Sequence, residues 1–401
     1  MLRLENPIQN YAWGSHTAIA KLLGEHSPSA QPQAELWMGA HPKAPSLVLP
    51  ERASLAALIA RDPAQFLGSD LEARFGARLP FLFKVLAAEA PLSLQAHPTL
   101  EQARAGYDAE QAAGVPVDAP NRNYRDRSHK PELLCALSPF SALCGFRAIE
   151  QTLELLHTLR SPRTPHLSRV IDMLAEAPTE AGLRQLFSSL LALSGEARSA
   201  LASEALDRCT DLAAFDGPFQ HEFSWAVHIG MLYPGDPGIV SALLLNLVQL
   251  SPGEAIYLPA GNLHAYLKGV GMEIMANSDN VLRGGLTPKH MDAAQLLHVL
   301  DFHSGPVSVL QGEARGSARV YQTPAAEFEL QSFHLRSSER PSITDRRGPE
   351  ILFCEQGQVD VAASGQSLTL THGQSLFMTA TDPDYALSGE GTLFRASVGC
   401  F

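Results

Sequence analysis

The sequence has no long hydrophobic run, no paired cysteines and no excess of basic charge, and each lack removes a class of protein. Its most apolar stretch, Ile239 to Leu250, is broken by Ser241, Asn246 and Gln249. A helix needs about 20 consecutive apolar residues to cross a bilayer, so this stretch is too short. The first residues, MLRLENPIQNYAWGS, lack the basic start and apolar segment of a secretory leader. The five cysteines, Cys135, Cys144, Cys209, Cys354 and Cys400, are odd in number and scattered, with no CxxC pair. Reduced thiols are expected rather than a disulfide framework. Lys and Arg total 30 against 42 Asp and Glu, a net charge of −12. That balance argues against general binding to nucleic acid or to an anionic membrane. No G-x-G-x-x-G fingerprint joins a strand to a helix, so nicotinamide chemistry is not indicated. The expectation is a cytoplasmic protein, a monomer or weak homo-oligomer, with neither nucleic acid nor membrane as partner. An anionic small substrate would need a local cluster of basic side chains.

What is present is an ordinary globular composition, 45% apolar over 401 residues, long enough for two or three domains. Residues 1 to about 100 hold short apolar segments, such as PSLVLP and LPFLFKVLAA, between Pro and Gly, which read as short strands. From about residue 148 the chain turns rich in Leu, Ala and Glu. Leu183, Leu186, Phe187, Leu190 and Leu191 follow the period of an amphipathic helix. A further helix is expected over about 238–249, then strands and turns to 286. After about residue 300 alternating segments such as QGQVDVAASGQSLTLTHGQSLFMT predict strands to the end. The expected fold is mainly β with a helical insertion: two jelly-roll β barrels and a helical domain. The first barrel spans 1–147 and 232–300, the insertion 148–231, and the second, metal-free barrel 301–401.

The chemistry-bearing residues sit in two segments. In PLSLQAHP, residues 91–98, strand alternation puts Ser93, Gln95 and His97 on one face. That suits a polar pocket, although an exposed edge strand would look the same. In LSPGEAIYLPAGNLHAYL, Gly253, Pro259, Gly261 and His264 follow the spacing G-x5-P-x-G-x2-H. Gly and Pro make a tight turn that sets His264 at the start of the next strand. This spacing resembles the second metal motif of the cupin superfamily, except that Lys268 stands where that motif often has Asn. Gln95-Ala-His97 takes the place of the first motif's H-x-H, and the best distant carboxylate is Glu132 in SHKPELL. Two His, one Glu and one Gln suit zinc or a similar divalent ion.

Six segments together carry a closer likeness: QNYAWGS, AELWMGAHPKAPS, LPFLFKVLAAEAPLSLQAHP, NYRDRSHKPELLCAL, LSPGEAIYLPAGNLHAYL and MEIMANSDNVLRGGLTPKH. Over most of its length the chain resembles the type I mannose-6-phosphate isomerases. That resemblance implies one Zn²⁺ per chain on Gln95, His97, Glu132 and His264, with Arg283 as the catalytic arginine. It implicates Trp13, Lys84, Ser93, Lys130, Tyr266, Glu273, Asp279 and Lys289 in binding a sugar phosphate, with Lys84, Lys130, Arg283 and Lys289 as a local anion site. Glu35 lies in the same motifs. The implied reaction interconverts mannose 6-phosphate and fructose 6-phosphate through an enediol. Its base stays open among Glu273, Lys130, His129, Tyr266 and a zinc-bound water. Two alternatives are a cupin metalloenzyme on another sugar phosphate and a non-catalytic sugar-phosphate-binding protein. In the late β block Thr379 replaces the motif Pro and no His follows, so no metal is expected there.

Overall fold

The computed structural model describes residues 1–399; Cys400 lies outside them. The apolar run FLFKVLAA becomes the strand Phe81–Ala88, buried at all positions. A short continuous apolar run of this kind needs cover on both faces. Its sheet runs in the order Val309–Leu310, Ala255–Leu258, Glu132–Ala136, His264–Ala276, Phe81–Ala88, Glu35–Met38 and Ile8–Gln9. The 13-residue strand His264–Ala276 organises it. Its second half lies between Phe81–Ala88 and Glu132–Ala136. Its first half pairs with Leu94–Ala96 and Phe140–Phe146. The change of partners coincides with a register shift between Tyr266 and Lys268. Gly269 follows with φ of +134°, and a Cβ there would come within 2.6 Å of the Phe140 ring. Only glycine permits this bend.

The second sheet runs Glu313–Arg315, Ala318–Tyr321, Glu329–Leu335, Tyr385–Ser397, Glu350–Ala363, Ser375–Met378, Leu2–Glu5, Leu47–Val48 and Ala53–Ser54. The two sheets do not divide the chain in sequence order. Leu2–Glu5 pairs with Ser375–Met378, and Val309–Leu310 pairs back onto Ala255–Leu258. One core joins both sheets, with Phe83, Val85 and Ile274 from the first and Leu330, Ile351 and Phe377 from the second. Inside the second sheet Arg395 donates to Glu350 at 2.6 Å and Tyr385 to the same carboxylate at 2.7 Å, all three buried.

Five helices, Ile149–Thr158, Pro165–Glu176, Glu180–Ala192, Gly195–Ala213 and Gln220–Leu232, form the helical portion. The expected leucine stripe is its core: Leu183, Leu186, Phe187 and Leu190 are buried, with Leu191 packed at the edge. Leu94 and Ala96 belong to this same core. Successive strand side chains point to opposite faces, so Gln95 turns away from the helices. Among the described residues no helix is long and apolar enough to cross a membrane. Cys135, Cys144, Cys209 and Cys354 are free and buried.

Two expectations need correction. The early segment is not strands alone, because residues 55–75 form three short helices. Ser54 and Asp62 cap two of them through their side chains, and Pro63 opens the second. The helix expected over 238–249 stops at Leu243, and Leu245–Leu250 is a strand paired with Phe140–Phe146. The Asn246 amide donates to the carbonyls of Cys144, Gly145 and Gly305. Cross-strand pairing thus overrides the local helical pattern.

Candidate metal centre

Two turns deliver the central side chains. Gly261 adopts φ of +80° after Pro259, and its N–H donates to the His97 carbonyl at 2.8 Å. His264 then opens its strand directly opposite Gln95. On the other edge of the Leu94–Ala96 strand, Gln95 stands opposite Arg283. Opposed residues of an antiparallel pair project from the same face, so His264, Gln95 and Arg283 share one.

His97, Glu132 and His264 converge in the interior, each no more than 2% exposed, with ligand-type atoms all within 4.8 Å of one another. Nε2 of His97 lies 3.4 Å from Oε1 of Glu132, and Nε2 of His264 lies 3.3 Å from Oε2. The far ring nitrogens are spoken for. His97 Nδ1 donates to the Asn280 carbonyl at 2.7 Å, and His264 Nδ1 to the Asn262 carbonyl at 3.0 Å. A carbonyl only accepts, so Nδ1 carries the proton in each neutral ring and Nε2 presents a lone pair. Both Nε2 atoms and Oε2 of Glu132 are buried without a hydrogen-bond partner. Each such orphan costs about 1–3 kcal/mol, and lone pairs facing each other add repulsion. A cation among them removes both penalties. Two imidazoles and a carboxylate, each imidazole braced by a backbone carbonyl, fit a divalent ion of the zinc type.

Charge around the cluster follows from burial and pairing. Burial, the largest influence, pushes His97 down to about 4, against the opposing pull of Glu132. Burial also works to raise Glu132, but the charge of Lys130 leads the influences that outweigh it and hold the carboxyl well below its usual range. Lys130 Nζ stands 3.1 Å from Glu132. Next to this set, Lys84 Nζ lies 2.8 Å from Glu273 and 3.5 Å from Glu35. Tyr266 donates to the other Glu273 oxygen at 2.9 Å, and Trp37 to Glu35 at 2.6 Å. Burial raises Glu273, although Lys84 opposes it. Tyr266 ties the two groups together, its ring 6.1 Å from that of His264.

The remaining predicted residues fall around this centre. Asp279 meets Lys43 at 2.9 Å and His41 at 3.6 Å. Ser93 is half-buried in the loop before Gln95. Trp13 packs against the core that holds Tyr266 and lies 5.7 Å from the Tyr11 ring. The residues of the expected anion cluster have different neighbours. Lys84 and Lys130 are already matched by Glu273, Glu35 and Glu132. Arg283 and Lys289 are instead joined by Arg125: after burial, mutual repulsion within this trio lowers both Arg283 and Lys289. His129 is taken up by Glu327 at 2.7 Å. Arg125, His41 and Lys43 went unassigned from sequence, although all three lie in the segments NYRDRSHKPELLCAL and AELWMGAHPKAPS. Nothing in their local pattern distinguishes them from solvated surface charge.

The chain is similar to known proteins along nearly all of its length. The family model of the type I phosphomannose isomerase catalytic domain matches residues 1–149. The chain is 41% identical to the mannose-6-phosphate isomerase of Escherichia coli (strain K12), across 98% of this chain and 99% of that protein. It is 37% identical to the human mannose-6-phosphate isomerase, across 94% and 92%. Its fold superimposes on a zinc-bound crystal structure of mannose 6-phosphate isomerase with a TM-score of 0.90, at 40% identity, covering 100% of this chain and 99% of that one.

The buried histidines predict an acid sensitivity. His41 is also lowered to about 4, chiefly by burial. A depressed histidine binds fewer protons folded than unfolded, so its stabilising effect is complete above the unfolded value of about 6.5. It is lost as pH falls from there through about 4. Urea unfolding of chelator-treated protein should therefore show a lower midpoint at pH 4.5 than at pH 7. His41→Asn should reduce that difference; equal midpoints at the two pH values would contradict the burial argument.

Proposed function

The chain belongs to the type I phosphomannose isomerase family, and on that premise we propose that it interconverts mannose 6-phosphate and fructose 6-phosphate through an enediol. We assign a zinc ion to His97, Glu132 and His264, with Gln95 as the fourth ligand. The observation that carries this reading is the convergence of three buried, unpartnered ligand atoms. When bound, the metal supplies a Lewis acid for the carbonyl and hydroxyl oxygens at C1 and C2.

The rest is the work of side chains. Arg125, Arg283 and Lys289 offer positive charge, and among the described residues no carboxylate pairs with Arg283 or Lys289, which suits a phosphate. Arg283, opposite Gln95, stands between that cluster and the metal set. It holds fixed donors toward the oxygens where negative charge develops. A guanidinium stays protonated, so Arg283 does not take the proton. The proton carrier is drawn from Lys130, Tyr266 and Glu273. Lys130 and the Tyr266–Glu273 pair flank the metal ligands, whereas His129 is engaged by Glu327. Lys84 holds Glu273 in place, and Asp279, Ser93 and Trp13 line the approach.

A coupled assay for fructose 6-phosphate, run with and without chelator, tests the activity and its metal. Run in deuterated water, the same reaction should place solvent deuterium in the product at C1 or C2. Complete retention of the original hydrogen would favour a hydride shift instead.

Arg283→Ala should keep its fold and metal and lose roughly 10²–10³ in kcat, the scale of one preorganised electrostatic donor. Arg283→Lys should recover part of this, because an ammonium lacks the planar fork. A large rise in KM with kcat unchanged would make Arg283 a phosphate anchor only.

A further inference from the structure

Asn280 is fully buried and lies on the loop between the strands His264–Ala276 and Leu282–Gly285. Every hydrogen-bonding group of its carboxamide is used. Oδ1 accepts from the backbone N–H of Arg125 at 2.6 Å and of Asp126 at 3.2 Å. Nδ2 donates to the carbonyls of Asp126 at 2.8 Å and Ser128 at 2.9 Å. Its own carbonyl accepts from His97 Nδ1 at 2.7 Å. The neighbouring residues repeat the pattern. Ser278 Oγ donates to Asp126 and accepts from the Asn280 N–H, and the Asp279 N–H donates to Asp126 at 2.7 Å.

Two loops are thereby clamped together. One carries Arg125 and Lys130 and leads into Glu132; the other leads into Arg283. The one carbonyl that fixes the tautomer and tilt of His97 belongs to the residue whose side chain fixes the backbone of Arg125.

We propose that Asn280 is a positioning residue that couples the metal end of the site to its anion end, orienting His97 through its carbonyl and Arg125 through its carboxamide. This rests on the assignment of His97, Glu132 and His264 as metal ligands. Removing the carboxamide leaves four backbone groups to find new partners and frees the loop that carries Arg125. The carbonyl that braces His97 then moves with its own loop.

The test compares the full-length protein with Asn280→Ala and Ser278→Ala. Zinc affinity is measured by chelator competition, ligand geometry by the visible spectrum of the cobalt(II)-loaded protein, and KM and kcat at saturating zinc. Asn280→Ala should weaken zinc binding by about 10–100-fold, the usual effect of losing a partner behind a metal ligand. It should also alter the cobalt spectrum and raise KM. Ser278→Ala should move the same quantities in the same direction by less. Parent-like zinc affinity and cobalt spectrum in folded Asn280→Ala, with only thermal stability lowered, overturn the proposal. If Asn280→Ala does not fold, Ser278→Ala decides, and parent-like zinc affinity there overturns it. A His97→Ala protein that binds zinc as tightly as the parent overturns the ligand assignment and this inference with it.

Discussion

The constraint on which the site depends is the meeting of three lone pairs in a dry interior. Glu132 faces Nε2 of His97 on one oxygen and Nε2 of His264 on the other, and neither ring nitrogen has a proton to offer while Nδ1 is committed to a carbonyl. Rotating either ring would satisfy Nε2 at the expense of Nδ1. A cation among the three satisfies all of them at once. Lys130 offsets part of the Glu132 charge. The second buried network sets one cation, Lys84, between two carboxylates, Glu273 and Glu35, whose other oxygens accept from Tyr266 and Trp37.

Strand register turns this constraint into a catalytic geometry. One long strand carries His264, Tyr266 and Glu273, and its bend at Gly269 lets it join both groups. Glu273 faces Lys84 in register, and Lys84 faces Trp37. The helical portion contributes from behind by burying Leu94 and Ala96, which commits Gln95 to the site. The second sheet contributes through the shared core that backs the strand Phe81–Ala88. The isomerase reading therefore depends on both sheets and the helices together.

The legible parts of this protein were those with a local signature. The leucine period announced the helix Glu180–Ala192, and the Gly253–Pro259–Gly261 turn announced His264. Alternation in residues 91–98 placed Gln95 and His97 on one face. Glu132 is reached from the motifs only as the best distant carboxylate, because its partners come from distant strands, and family likeness singles it out. What stayed hidden is set by tertiary partners. Leu245–Leu250 reads as helix until Phe140–Phe146 pairs with it. Lys84 and Lys130 read as free cations until Glu273 and Glu132 are seen beside them. Arg125 reads as a solvated charge until Arg283 and Lys289 converge on it, and Asn280 carries no signal in a single sequence.

The central claim is that one divalent ion sits among these lone pairs. Anomalous diffraction from zinc-loaded crystals, collected at the zinc absorption edge, tests it most directly. The account predicts one strong peak per chain, about 2.0–2.2 Å from Nε2 of His97, Nε2 of His264 and a Glu132 oxygen. A peak elsewhere in the molecule, with both Nε2 atoms turned to protein partners, would contradict it.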